Sequence, residues 1–237
     1  MPDRLAIIAA LKREVHPLVR NWERAQAGGL PAWQSGNVLV ICGGIGAGPA
    51  RRAAECVVSA FDPSVLISVG FAGSLDPTLK APDVFVPAKV VDVGSGKEFV
   101  TGDLSGTSTL LTLDAIADAA SKQALARDYD AQAVDMEAAA VAGVAAGYGL
   151  EFRAVKAISE DIGFPLPSFA PFITAEGGLR TVSLAAHLAM RPWLWASVFT
   201  LRQNAVRASR ALALALQPLQ SGGAPFDDVA QPSAGVG

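Results

Sequence analysis

Carboxylates stand at three places where an apolar run of this chain gives way to a helix or loop: Glu14, the pair Asp135 and Glu137, and the adjacent Glu160 and Asp161. The segment AQAVDMEAAAV, Ala131–Val141, says most. Ala133 and Val134 read as the end of a buried strand. The alanine-rich run from Met136 predicts a helix over 136–146, stopped by Gly147 and Gly149. Asp135 suits the N-cap and Glu137 the first turn, where the helix dipole favours a negative charge. Two acids capping a helix are one reading. A ligand site is the other, because open α/β sheets bind ligands where their strands end. There a glutamate can accept both hydroxyls of a vicinal diol while Met136 lies against the apolar face of a sugar. By residue type alone, Glu14 reads as a first-turn acid, and Glu160 with Asp161 as solvated residues at a strand end.

The elements that position these acids alternate along the chain. Leu5–Ala10 is a continuous apolar run, as expected of a strand buried on both faces, and Lys12–Val15 opens a helix. Ala32–Ser35 and Val38–Cys42 predict a hairpin turned at Gly36-Asn37. Gly43–Gly48 leads into a helix over 49–60. It fails as a dinucleotide fingerprint, since the third small position falls on Pro49. Val65–Val69 is a buried strand that runs into a small-residue stretch, Gly70–Pro77. Val84–Val93 predicts one long strand with Pro87 at a bulge or edge, followed by a Gly/Ser/Thr-rich loop over 94–109. Leu110–Leu113 returns as a strand, Asp114–Arg127 as an amphipathic helix, and Glu151–Ile158 as the last strand.

Composition narrows the class. A chain of 237 residues, 51% of them apolar, suits one large α/β domain. A formal charge of −3 argues against a nucleic-acid partner. Cys42 and Cys56 read as buried free thiols unsuited to a disulfide or metal framework, and no cofactor or metal is expected. The N-terminal apolar run is too short for a signal peptide, so a cytoplasmic location is expected.

The segment VDMEAAAVA resembles the (V/E)-(D/E)-M-E-(A)-x-(A) signature of the purine nucleoside phosphorylase superfamily, in its methylthioadenosine/adenosylhomocysteine nucleosidase branch. Ala10–Val15 matches the branch's A-(M/L)-x-x-E-(V/I), Gly43–Gly46 its T-G-I-G, and Ser68–Leu75 its N-x-G-(S/T)-A-G-G-L. Lys156–Glu160 matches (R/K)-x-(I/V)-S-D, except that Glu160 stands where the family has aspartate and Asp161 follows. The resemblance covers about residues 4–165. It implies a single α/β domain with a central mixed β-sheet flanked by helices, a nucleoside phosphorylase-like three-layer sandwich. It also implies cleavage of a purine N-glycosidic bond. Glu14 would be the general base on water, and Glu160 or Asp161 the acid that protonates the leaving base. Met136 and Glu137 would hold the ribose, and Ala72, Gly73, Ile116 and Ser159 the base, with Ile116 in the place of a stacking aromatic. Ile45 and Phe71 would border the 5′ substituent. The branch further implies a homodimer, with Phe85–Val93 and the following loop near the interface.

Beyond Pro167 the chain leaves the general family. Residues 177–226 hold five arginines and no acid, and Leu194, Val198, Leu201, Ala205, Ala208, Leu212 and Leu216 recur at helical spacing. This predicts a helical extension over about 170–217 that completes a domain of residues 1–217, ahead of a disordered tail, 218–237. The basic, tryptophan-bearing extension also suits peripheral contact with the inner membrane face or a greasy ligand. The stretch H-L-A-x-R-P-W, His187–Trp193, with F-P-L-P after the carboxylates, resembles the hopanoid-associated phosphorylases, which points to an adenine nucleoside carrying a lipid such as adenosylhopane. Water is the preferred co-substrate over phosphate. The arginine and hydroxyl that bind phosphate in related phosphorylases are absent from Ser68–Phe71, and Glu14 would repel a dianion. Phosphorolysis and methylthioadenosine cleavage are the alternatives, and a nucleoside-lipid binder without catalysis is the rival class.

Overall fold

The computed structural model describes residues 3–102, 107–165, 170–174, 176–178, 180–181, 183–184 and 190–220. Its centre is β5 (Val65–Ser74), a strand long enough to take three partners. Along one edge lies β11 (Glu151–Glu160), parallel to it throughout. β1 (Leu5–Ala9) pairs parallel with its first half, and β10 (Ala133–Asp135) pairs antiparallel with its last residues, so two strands share one edge. Outward from β1 come β4 (Val38–Cys42), β3 (Leu30–Ser35) and β2 (Glu23–Ala27). From β10 the sheet runs through β9 (Thr109–Thr112) and β7 (Lys89–Asp92) to the edge strand β8 (Glu98–Val100).

The apolar strands divide their side chains between two faces, as period-2 geometry requires. Ala6 and Ile8 of β1 join a core layer with α2 (Ala47–Phe61) and α4 (Ala138–Tyr148). Leu5, Ile7 and Ala9 join the opposite layer with α1 (Lys12–Val19) and the long helix α5 (Trp195–Ala215). Helices thus cover both faces of a mixed sheet. Ala138, Ala139, Ala140, Ala142 and Ala145 of α4 are buried in the same cluster as Ala50, Ala53 and Ala54 of α2, and side chains this small let the two backbones, and the loops that precede them, come close together.

Several expectations change. Val84–Val93 is not one strand: β6 (Val84–Phe85) pairs with β11, while β7 pairs with β9, and the chain crosses between them over Val86–Ala88. Pro87 has no amide to give a ladder, and its carbonyl instead accepts the Thr101 hydroxyl. Phe85, Val86, Val90 and Val91 are buried within this chain, while Val84, Lys89, Asp92 and Val93 keep part of their surface exposed. The loop expected over 94–109 contains β8, and β2 was not anticipated. Gln217–Gln220, which overlaps the start of the tail expected from 218, is helical, and Leu219 is buried. Residues 221–237, and His187–Ala189 of the H-L-A-x-R-P-W stretch, lie outside the described residues. Among the described residues no helix is long and apolar enough to cross a membrane.

Candidate active site

The carboxyl ends of β1, β5, β10 and β11 open onto one cavity of about 580 Å³, within the ~300–1,000 Å³ of ordinary small-molecule sites. Glu14, Met136, Glu137, Glu160, Ala72, Gly73, Ile116, Ser159, Ile45 and Phe71 all line it. Asp161 does not. Its exposed carboxylate pairs with Lys80 at 3.3 Å and accepts the Ala81 amide at 3.2 Å. Successive strand residues point to opposite sides, and the register of β11 against β5 slips between Ile158 and Glu160. Glu160 is thereby the acid turned inward.

Glu14 is buried at the start of α1, directly after β1. Its Oε2 accepts the amides of Ala10 at 3.0 Å and Leu11 at 3.1 Å, which fixes the carboxylate against the cavity floor. Desolvation raises its pKa above the ordinary carboxylate value, opposed by those amides and by the charges of Lys156 and Arg13. Gly70 of β5 lies against it, and a Cβ there would come 3.2 Å from Oε2.

Glu137 sits between β10 and α4. The helix starts at Ala138 rather than Met136, so Glu137 itself holds the N-cap position, yet its side chain does not cap its own helix. It reaches across to accept the Gly46 amide at 2.8 Å, at the start of α2. Burial, reinforced by the negative charge of Asp135, pushes the Glu137 carboxyl up to about 7. Asp135, expected as the N-cap, lies on β10 instead. It accepts the Ala138 amide at 3.0 Å and the Thr112 hydroxyl at 2.7 Å, and pairs with Lys156 at 2.8 Å. With these partners both oxygens of Asp135 are engaged within the chain.

Two lysines complete the site, and sequence reasoning assigned a role to neither. Lys156 is sealed within β11 between Asp135 and Ser68, whose hydroxyl is 2.9 Å away. Its positive charge favours the ionised forms of Glu14 and Glu137. A charged residue inside the apolar run AVKAIS was a readable signal. Lys122 of α3 (Ala119–Tyr129) is buried, lines the cavity and pairs with Glu160 at 2.9 Å. The other Glu160 oxygen accepts the Ser159 hydroxyl in a short hydrogen bond. Nothing local in the sequence marks Lys122, whose partner is 38 residues away. The helix expected from Asp114 begins only at Ala119, because the Asp118 side chain caps it through the Ser121 amide at 2.8 Å. Residues 115–117 are thereby released to form a cavity wall.

The far wall comes from α5 and is mostly apolar, with Arg202 and Ser209 as its polar members. The helix divides along its length: Ala208 and Leu212 pack into the core, while Val198, Leu201, Ala205 and Val206 face the cavity. Of the aromatic group Trp193, Trp195 and Phe199, all are exposed and none lines the cavity. Gly44, at φ +110, lets Ile45 donate to the Gly177 carbonyl at 2.9 Å, so the close approach there is to backbone of this chain.

A mixed sheet whose strand ends gather Glu14, Glu137 and Glu160 around one cavity defines an enzyme that cleaves N-glycosyl bonds. The chain belongs to the phosphorylase superfamily, whose sequence profile matches residues 1–112 and 100–167. It is similar to the 5′-methylthioadenosine/S-adenosylhomocysteine nucleosidase of Marinomonas sp. (strain MWYL1), at 28% identity, covering 58% of this chain and 74% of that one. Among solved structures, S-adenosylhomocysteine nucleosidase from Streptococcus pyogenes, in complex with 5-methylthiotubericidin, superimposes with a TM-score of 0.67 at 18% identity, covering 93% of this chain and 95% of that one. A futalosine hydrolase mutant of Helicobacter pylori strain 26695 gives 0.57 at 20% identity, covering 67% and 91%. At these identities the structures establish a shared fold.

Proposed function

We propose that this enzyme hydrolyses the N-glycosidic bond of an adenine nucleoside whose 5′ position carries a large apolar group, on the scale of the triterpene in adenosylhopane. The observation that carries the reading is the continuity of the cavity. Its polar floor at Glu14, Glu137 and Glu160 passes Ile45 and Phe71 to the apolar face of α5. Each buried CH₂ contributes ~0.8 kcal/mol, so a long 5′ chain seated there would dominate affinity. The nucleosidase named among the relatives supplies the adenine half of the assignment.

In this reading Glu137 accepts the ribose hydroxyls and the base lies between Gly73, Ser159 and Ile116. Glu14 takes a proton from water as it attacks the anomeric carbon, in the two-sided manner of glycoside hydrolysis. Water is favoured over phosphate by the surroundings of Glu14. The two amides that would cradle an anion are already spent on its carboxylate. Arg51 and Arg52, which follow the glycine loop, are exposed on α2, and the arginines at the cavity are Arg13, beside Glu14, and Arg202 on α5. The exposed Trp193, Trp195 and Phe199 outside the cavity suit contact with a membrane surface. A homodimer is the assembly proposed, and the edge strand β8, with Val100 exposed, offers part of the expected region to a second copy.

The test is incubation with adenosine, methylthioadenosine and a long-chain 5′-alkyl adenosine, each with and without phosphate, followed by identification of the sugar product. Free ribose-type product, with efficiency rising along the 5′-chain series, supports the reading. Ribose 1-phosphate as main product overturns hydrolysis, and best turnover on methylthioadenosine overturns the lipid tail.

A further inference from the structure

The superfamily resemblance placed a protonated carboxyl at Glu160 as donor to the leaving base. The geometry around Glu160 does not suit that role. One carboxylate oxygen accepts from the Lys122 ammonium at 2.9 Å and the other accepts the Ser159 hydroxyl. A carboxylate occupied as acceptor on both oxygens has no proton to give. The ammonium beside it has three, and only one is directed at Glu160.

We propose that Lys122 is the catalytic acid of this site and that Glu160 is a positioning residue that holds it. The proposal rests on the nucleosidase reading above. Three observations place the ammonium at the wall which the nucleosidase reading gives to the base. Lys122 lines the cavity although its side chain is almost wholly sealed from solvent. It stands with Glu160 beside Gly73, where a Cβ would come 2.5 Å from Glu160 Oε1 and 2.6 Å from Lys122 Nζ, so bare backbone is what leaves room for the pair at this wall. Ser159, on the same wall, fixes the Glu160 carboxylate that aims it.

The step balances without a co-reactant other than water. As the bond from C1′ to the base nitrogen breaks, its electron pair goes to the base. A ring nitrogen of the base takes a proton from the Lys122 ammonium, which becomes a neutral amine. The oxygen of water bonds C1′, and its proton passes to the Glu14 carboxylate. Exchange with solvent after product release returns both groups to their starting forms.

The test separates a proton donor from a structural lysine by the leaving group. Adenine needs a proton to depart, whereas 4-nitrophenolate leaves without one. In Lys122→Met, kcat/KM for adenosine or its long-chain 5′-alkyl analogue should fall by ~10²–10⁴, while kcat/KM for 4-nitrophenyl β-D-riboside should stay within about fivefold of wild type. Because the single variant strands a buried Glu160 charge, the double variant Lys122→Met/Glu160→Gln is measured beside it, with folding checked by near-UV circular dichroism. It should show the same split. Glu160→Gln alone should cost less than Lys122→Met on adenosine. Equal losses on both substrates, or a Glu160→Gln variant that is dead on adenosine beside an active Lys122→Met, would overturn the assignment while leaving the nucleosidase reading intact. A wild-type protein inert on both nucleoside and riboside would overturn the two together.

Discussion

Lys156 and Asp135, on neighbouring parts of the sheet, form an ion pair of 2.8 Å in which both side chains are closed to solvent. Such a pair is costly to break from one side, since the survivor is left charged and buried. Lys156→Met should therefore destabilise the fold by about 3–5 kcal/mol in denaturant titration. Lys156→Met/Asp135→Asn should recover most of that loss. A single variant within 1 kcal/mol of wild type would mean that the pair is solvated in solution.

Glu14→Gln keeps an oxygen for the amides of Ala10 and Leu11 but cannot take a proton from water. Base release at neutral pH should fall by ~10²–10⁴ with stability retained. Because burial already disfavours the charged form of Glu14, the variant should be at least as stable as wild type above pH 7. Turnover within a few-fold of wild type would remove Glu14 from the reaction.

Glu137 ties activity and stability to pH in opposite directions. Its carboxyl is raised from 4.5 to about 7 in the folded chain, so the native state holds a proton that the unfolded state has released between those values. That contribution is complete below about pH 4.5 and is lost as pH rises through about 7, at most about 3 kcal/mol from this group. Glu14 shifts in the same direction. Melting temperature should fall between pH 5 and 8, and Glu137→Gln should flatten the slope. In the proposed reading the ribose diol is held by the ionised Glu137, so kcat/KM should climb over the same interval. Glu137→Gln should lose roughly 2–4 kcal/mol of transition-state stabilisation by the kcat/KM comparison. A variant with near-normal turnover would reduce the carboxylate to a link with Gly46.

Gly73→Ala tests how tightly the base wall is built. The added carbon would sit 2.5 Å from Glu160 Oε1 and 2.6 Å from Lys122 Nζ, and neither buried side chain has space to retreat. Loss of more than tenfold in activity, with destabilisation of about 1–3 kcal/mol, is expected. Wild-type kinetics would show that the ion pair shifts freely.

Much of this site was legible because its acids lie next to apolar runs whose ends locate the sheet's carboxyl edge. Glu14, Glu137 and Glu160 follow three such runs directly. What was not legible depends on contacts distant in sequence. Lys122 looks like any helix-surface lysine until α3 is docked beside the end of β11. Asp135 looks like a cap because Thr112 and Lys156, its actual partners, are separated from it by long stretches of chain. The split of Val84–Val93 was hidden for a different reason: a continuous β-favouring run does not reveal that its halves pair with different strands.

The division of α5 has an evolutionary corollary. The acids on the floor lie on or just after β1, β10 and β11, all paired with β5, so an insertion in β5 would displace several of them at once. Val198, Leu201, Ala205 and Val206 belong to a helix outside that register, anchored downstream by Ala208 and Leu212. The roof can be rewritten while the floor stays still. Drift over those two turns would reshape that wall of the cavity without moving the acids opposite it.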